Sequence, residues 1–327
     1  MQKRTLVAAV AAIPLALIAM LICAVAIRKD RIWEAPYPDL HASSDPAKIE
    51  RGRYLALGPA HCVACHGDSR SGGQATSGSD LSLAGGFVFD IPPGKFWTRN
   101  LTPDVETGIG GLSDGQLARA LRHGVGHDGR ALLPVMPFQN LTDDDLVAVL
   151  SYLRSRPAVR HDLPQRQLTP LGDVVFAFVI RPEGPTTTPA KAIESGPTVE
   201  YGRYLANSVA NCVGCHTDRD LKTGKFTGKP FAGGFHMEVR GQPGLEFVTP
   251  NLTPHPQGRI AGWTEEEFVS RLRAGAGPEG SEMPWSSFRL LSEDDARALY
   301  RYLRTVPAVE NDTGDSLHHR GEKVAAN

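Results

Sequence analysis

An excess of charge of one sign is missing from this chain: 35 basic residues stand against 36 acidic ones, a net charge of -1 over 327 residues. That balance argues against a nucleic-acid binder, which carries a clear basic excess. Aromatic residues are scarce at 7%, whereas Gly (34) and Pro (25) are plentiful. Such a composition predicts short helices, long loops and a small protein core, which suits a fold packed around a cofactor. Cysteine and methionine are rare, with five of each. Four of the cysteines stand in two close pairs, and no cysteine is spare in the body of the chain. The fifth, Cys23, lies in an apolar run and reads as a small apolar membrane residue with no chemical role. No alternation of strand and helix patterns surrounds the pairs, as a thioredoxin-like redox motif would require.

What is present is Cys-x-x-Cys-His, twice: Cys62-Val63-Ala64-Cys65-His66 and Cys212-Val213-Gly214-Cys215-His216. The spacing is that of a c-type haem attachment site. Two thiols on one turn can bond the two vinyl groups of a haem, and the following histidine then lies under the iron as its proximal ligand. Zinc ribbons place their cysteine pairs roughly 15–20 residues apart. Here the pairs are separated by 150 positions. The motifs therefore predict two covalently bound haem c groups, on Cys62, Cys65 and His66 and on Cys212, Cys215 and His216.

The text around the motifs is also written twice. Arg51-Gly52-Arg53-Tyr54-Leu55-Ala56 returns as Tyr201-Gly202-Arg203-Tyr204-Leu205-Ala206, and Asn100-Leu101-Thr102-Pro103 as Asn251-Leu252-Thr253-Pro254. Met136-Pro137 returns as Met283-Pro284, and Leu141 to Asp145 as Leu291 to Asp295. The offset stays between 147 (Met136 to Met283) and 151 (Asn100 to Asn251). This is a duplicated domain rather than a short solenoid repeat.

Each unit reads as helical. Helices are expected over Pro46 to Leu57 and Pro197 to Ala206, and over Ser113 to Arg122 and Thr264 to Arg273, the latter two stopped by Gly124 and Gly275. The last helix of each unit is capped by Thr142 or Ser292 and stopped by Pro157 or Pro307. Leu146, Val149, Leu150 and Leu153 give it one apolar face. The expected fold is all-α: two tandem class I-like cytochrome c domains, over residues 40–160 and 197–310, after an N-terminal transmembrane helix. Residues 161–196 read as a linker holding an apolar stretch, Val174 to Ile180, and residues 311–327 as a disordered tail.

The N-terminal run Thr5 to Ile27 is long enough to cross a hydrocarbon core. It reads as an uncleaved anchor, within residues 1–30, in preference to a signal peptide cut after Ala24-Val25-Ala26. Both flanks are basic, so charge does not orient it. Covalent haem attachment in bacteria occurs outside the cytoplasmic membrane, which puts the bulk of the chain in the periplasm.

The occupant of the iron's second axial position separates an electron carrier from a ligand-binding enzyme. Met136 and Met283 are the candidates, since both stand in a Met-Pro step before the last helix of their unit. Thioether sulfur favours ferrous iron and raises the potential. Met237 is the competitor, with Phe89 at its counterpart. His123, His127, His236 and His255 read as exposed loop residues able to substitute in another state. Asn100, Thr102, Asn251, Thr253 and Arg99 could bind haem propionates, although turn-forming roles are as good a reading.

With these stretches assembled, the sequence resembles the bacterial multihaem cytochrome c subunits of membrane-bound dehydrogenases of the alcohol and gluconate type. The resemblance rests on Asn100 to Asp104, Gly108-Ile109-Gly110, Arg119 to Val125, Asp128-Gly129-Arg130, Pro134 to Pro137, Leu141 to Leu146 and Tyr152 to Ser155. It covers nearly everything from Lys48 to Val309. It implies an electron carrier that is not itself an enzyme, fed by a donor dehydrogenase subunit. Quinone, a soluble cytochrome or a terminal oxidase would accept the electrons. Two departures stand out: many relatives carry three haem domains, and the Met136–Leu141 interval is three residues shorter than Met283–Leu291. The alternative is a dihaem enzyme of the peroxidase or thiosulfate dehydrogenase type. It would need an open iron or a reactive thiol.

Overall fold

The computed structural model describes residues 2–71, 82–221 and 223–321, without the side chains of residues 2–12, 14 and 71. Helix α1 (Gln2–Arg28) leads towards α2 (Pro46–Leu57). The latter starts where the Asp45 carboxylate accepts from the Ala47 amide and Pro46 fills the first turn. α3 (Cys62–His66) carries the first motif, and a hairpin of β1 (Val88–Ile91) and β2 (Gly94–Trp97) follows. Ser113 and Gln116 form a reciprocal capping box at α4 (Asp114–His123), which ends on Gly124 in the left-handed region. α5 (Asp143–Ser155) is capped by Thr142. Beyond it lie β3 (Gln167–Leu168) and α6 (Pro170–Phe178).

The second half repeats this order. α7 (Val199–Tyr204) passes into one π turn, Leu205–Val209, and α8 (Cys212–Cys215) holds the second motif. β4 (His236–Glu238) and β5 (Leu245–Val248) make the hairpin, and a Thr264–Glu267 capping box starts α9 (Glu265–Arg273). A short helix, α10 (Trp285–Phe288), takes up the extra residues after Met283. α11 (Glu293–Leu303), capped by Ser292, and β6 (Leu317–His319) complete the unit.

In each unit the first and last helices form the packing centre, α2 on α5 and α7 on α11. Glycine permits the close approach. A Cβ at Gly52 would lie 1.8 Å from the Ala148 carbonyl oxygen, and one at Gly202 would lie 1.9 Å from that of Ala298. One buried apolar cluster runs through both units, including Leu55, Leu146 and Leu150 from the first and Leu205, Leu299 and Leu303 from the second.

Polar groups cross the junction in a reciprocal pattern. The Tyr54 hydroxyl donates to Asp295 at 2.6 Å, and the Tyr204 hydroxyl donates to Asp145 at 2.7 Å. Each tyrosine oxygen also accepts from the backbone amide of the helix cap opposite, Ser292 or Thr142. Tyr54 and Tyr204 are equivalent in the repeat, as are Asp145 and Asp295, so the junction has local two-fold symmetry. The symmetry breaks at one pair. Arg51 binds Asp145 through Nε at 2.8 Å, while its counterpart Tyr201 offers a hydroxyl that accepts from Arg51.

Two expectations are corrected. The fold is not all-α, because each unit carries a three-stranded antiparallel sheet, β1-β2-β3 and β4-β5-β6. In β2 burial alternates along Gly94, Lys95 and Phe96, and Gly94 (φ 146°) turns the chain after Pro93. Strands of two to four residues are too short for a period of two to stand out beside helical signals. The expected N-terminal transmembrane helix also fails: among the described residues, no helix is long and apolar enough to cross a membrane.

The linker and the tail hold more structure than their composition suggested. The apolar stretch in the linker lies largely in α6, capped by Thr169 and packed against α1. Phe176 stacks on Phe96 with ring centroids 5.7 Å apart, and Lys29 pairs with Asp173 at 3.1 Å. Residues 317–319, expected in the tail, form β6, while residues 322–327 lie outside the described ones.

Candidate haem-attachment sites

Each Cys-x-x-Cys-His turn opens on a residue in the left-handed region, His61 (φ 40°) or Asn211 (φ 52°). That conformation reverses the chain after the first helix of the unit. It sets the two cysteines on a single turn, Cys62 with Cys65 and Cys212 with Cys215. All four thiols are free of disulfides; Cys215 is exposed and the others are half-buried. Burial pushes the Cys62 and Cys212 thiols up to about 12. A nucleophilic pair works the other way, by lowering its thiol, so burial of Cys62 and Cys212 argues against disulfide exchange.

The two histidines are oriented alike. His66 Nδ1 donates to the Arg99 carbonyl at 2.8 Å, and His216 Nδ1 donates to the Pro250 carbonyl at 2.9 Å. Burial lowers the pKa of both rings and favours the neutral form. With the proton held on Nδ1, the Nε2 lone pair is left for a metal. Glycine allows this arrangement. Gly85 and Gly233 have φ values of 74° and 70°, and a Cβ would meet the Thr98 oxygen at 2.5 Å or the Thr249 oxygen at 2.4 Å. The same glycines bond back to the motif, Gly85 N to His66 O and Gly233 N to His216 O, both at 2.9 Å.

Met136 and Met283 are half-buried at the edge of the shared core. Each lies in a tight turn, in which Phe138 N binds Met136 O at 3.0 Å and Trp285 N binds Met283 O at 2.7 Å. The loops then part, since only the second runs into α10. Met237, the competitor, sits in β4 opposite Phe247. In both units the residues suit haem c, with two unbonded thiols on one turn and a neutral imidazole presenting Nε2.

Comparison with known proteins agrees with this geometry. The cytochrome c family model matches residues 199–307. The fructose dehydrogenase cytochrome subunit of Gluconobacter japonicus is 32% identical over 286 residues, covering 82% of this chain and 54% of that protein. The cytochrome c subunit of the alcohol dehydrogenase (quinone) of Gluconacetobacter polyoxogenes is 29% identical over 83% of this chain and 58% of its own length. A diheme cytochrome c-type protein of Cereibacter sphaeroides is 28% identical over 76% of this chain and 83% of its own. Residues 199–307 match a cytochrome c domain, and most of the chain is similar to cytochrome c subunits of dehydrogenases. The chain spans about half the length of the two dehydrogenase cytochrome subunits. A cytochrome c domain implies covalently bound haem c.

Several polar residues of this chain hold loops in place. Asn100 Oδ1 accepts from the amide and hydroxyl of Thr102, and its Nδ2 donates to Val159 O at 2.8 Å. Asn251 and Thr253 repeat the device on Val309. Both asparagines are buried, and these contacts carry the turn-forming reading. The Arg99 guanidinium donates to Pro164 O and Gln165 Oε1 in the linker. Among the histidines, His61 meets Phe288 of the other unit edge-on at 5.9 Å, and His236 pairs with Glu246. Burial lowers His123.

Sequence reasoning missed two features of this chain. The first is the exchange of tyrosines, whose signal was the repetition of Tyr54 and Asp145 at matching positions. The second is Arg240, in the β4–β5 connection. Its guanidinium lies over the Phe87 ring of the other unit at 4.4 Å, acts electrostatically on Cys65, and pairs with Glu282 beside Met283 at 3.2 Å. One side chain thus links the first motif to the second methionine loop.

Proposed function

We propose that this protein carries two covalently bound haem c groups and passes electrons from a dehydrogenase to a respiratory acceptor. The observation that supports it most directly is the matched pair of imidazoles, each tied through Nδ1 to a backbone carbonyl beside its two thiols. In the proposal Cys62, Cys65 and Cys212, Cys215 hold the groups, and His66 and His216 ligate them. Met136 and Met283 would supply a second ligand to each group. When bound, haem supplies reversible one-electron chemistry at a potential that methionine ligation raises. The chain's own part is to hold the imidazoles neutral, shield them in apolar surroundings and keep the two units in fixed relation.

The relatives' names support a dehydrogenase donor, since fructose, alcohol and gluconate dehydrogenase cytochrome subunits all align with most of the chain. Quinone, a soluble cytochrome or a terminal oxidase is the acceptor in this reading. The haem-bearing units face the periplasm, because covalent haem attachment belongs to that compartment.

Haem content and an optical redox titration of the wild type, Met136→Ala and Met283→Ala test the proposal. Two haems per chain are expected, with the methionine-to-ferric-iron band reduced in each variant. Persistence of the full band in both variants refutes the ligand assignment. One haem per chain refutes the count. Peroxide-driven turnover with high-spin iron at rest would instead establish the dihaem enzyme.

A further inference from the structure

The two sheets share a topology but not a chemistry. In β4-β5-β6 the strand pairing sets Glu246 opposite His318 and puts His236 diagonally across from Glu246. His236 Nδ1 lies 3.2 Å from a Glu246 carboxylate oxygen, and the His236 and His318 rings meet edge-on at 5.6 Å. One ligand atom from each of the three residues falls within 4.8 Å of the others. A second observation is independent of this spacing: His318 Nδ1 is buried and makes no hydrogen bond. Leaving such a nitrogen unsatisfied is unfavourable, and a bound cation would engage it.

We infer that His236, Glu246 and His318 form a binding site for a divalent transition metal of the zinc class. Two imidazoles and one carboxylate make a borderline donor set that suits zinc over calcium or magnesium, and three protein ligands leave a position for water. Metal bonds of about 2.0–2.2 Å require the three donors to draw together. The exposed His236 side chain supplies that movement. Arg320 donates to the other Glu246 oxygen at 2.6 Å and so orients the carboxylate, while its second branch binds Glu238 at 3.1 Å. The site is particular to the second unit. By the same strand pairing, the corresponding positions of β1-β2-β3 hold Val88, Lys95 and Gln167. A metal here would pin β6, the last described strand, to the hairpin. The inference is independent of the electron-transfer reading.

The test uses tag-free holoprotein, stripped with a chelator, dialysed against buffered zinc and analysed for zinc and iron together. Iron reports haem loading, which occupies the motif cysteines and removes them as competitors. One zinc per chain is expected for the wild type, with affinity weakened about tenfold or more in His236→Ala, Glu246→Gln and His318→Ala, and unchanged in His255→Ala. Absence of stoichiometric zinc at about 0.1 mM free metal, or equal affinity in wild type and all three ligand variants, overturns the site. Should His318→Ala fail to fold, His236→Ala, altered at an exposed position, gives the same comparison.

Discussion

Tyr54 and Tyr204 occupy equivalent places, yet their loss should not weigh equally. Burial and the carboxylate opposite raise both phenols, so each hydroxyl stays protonated and donates. Asp145 keeps a bidentate Arg51 when Tyr204 is replaced by phenylalanine. When Tyr54 is replaced, the Asp295 carboxylate keeps the uncharged Ser292 hydroxyl as its donor, with no arginine in place of the lost phenol among the described contacts. Tyr54→Phe should therefore lower stability by about 1–3 kcal/mol and Tyr204→Phe by less. Denaturant midpoints of the two variants, with haem content matched, check the order. Arg240 gives a second prediction. Its removal takes a positive charge from beside Cys65, so on the two-haem proposal the potential of the group at the first motif should fall in Arg240→Ala while that at the second moves less; spectroelectrochemistry measures both. The motif cysteines and histidines were legible in the sequence because chemistry fixes their spacing within five residues. Arg240 was not, since Phe87, Cys65 and Glu282 reach it only through the fold.

Among the elements, the helices were readable and the strands were not. Ser113, Thr142, Thr264 and Ser292 announce helix starts through side chains that bond backbone three positions on, a local event. β3 and β6 exist only because the chain returns, after the last helix of each unit, to an edge made many residues earlier. Gly52 and Gly202 mark where helices touch. Gly52→Ala and Gly202→Ala should each destabilise by roughly 1–3 kcal/mol or more, because the obstructing atoms are rigid backbone. Thermal melts monitored by helical circular dichroism report the loss. At the α9–α11 contact, hydrogen bonding from Arg301, reinforced by Arg297, holds the Glu265 carboxyl below its usual 4.5 against the opposing effect of burial. The carboxyl is depressed in the folded state, so its contribution is complete above pH 4.5 and vanishes as pH falls through the folded value. Glu265→Gln should thus be less stable than the wild type at neutral pH, the gap narrowing as pH falls below 4.5 and closing once the folded carboxyl protonates. Paired pH-dependent melts show whether the curves converge.

For the whole molecule, duplication was plain in the sequence, but the union of the two copies was not. The repeats could have been separate beads on a linker. Instead one apolar cluster passes between them and Thr142, Tyr204 and Asp145 meet across the junction. The second unit produced alone, residues 197–321, would present Tyr201, Tyr204 and Phe288 to water. It should melt well below the intact chain in calorimetry; an equal melting temperature would show that the junction contributes little. The exchange of tyrosines also bears on descent. An interface in which each half gives what it receives is self-complementary, so a single ancestral unit could have dimerised through it before its gene was doubled. Fusion then freed the two faces from having to be identical, and the pairing of Arg51 with Tyr201 is a change that only a joined chain can make on one side alone.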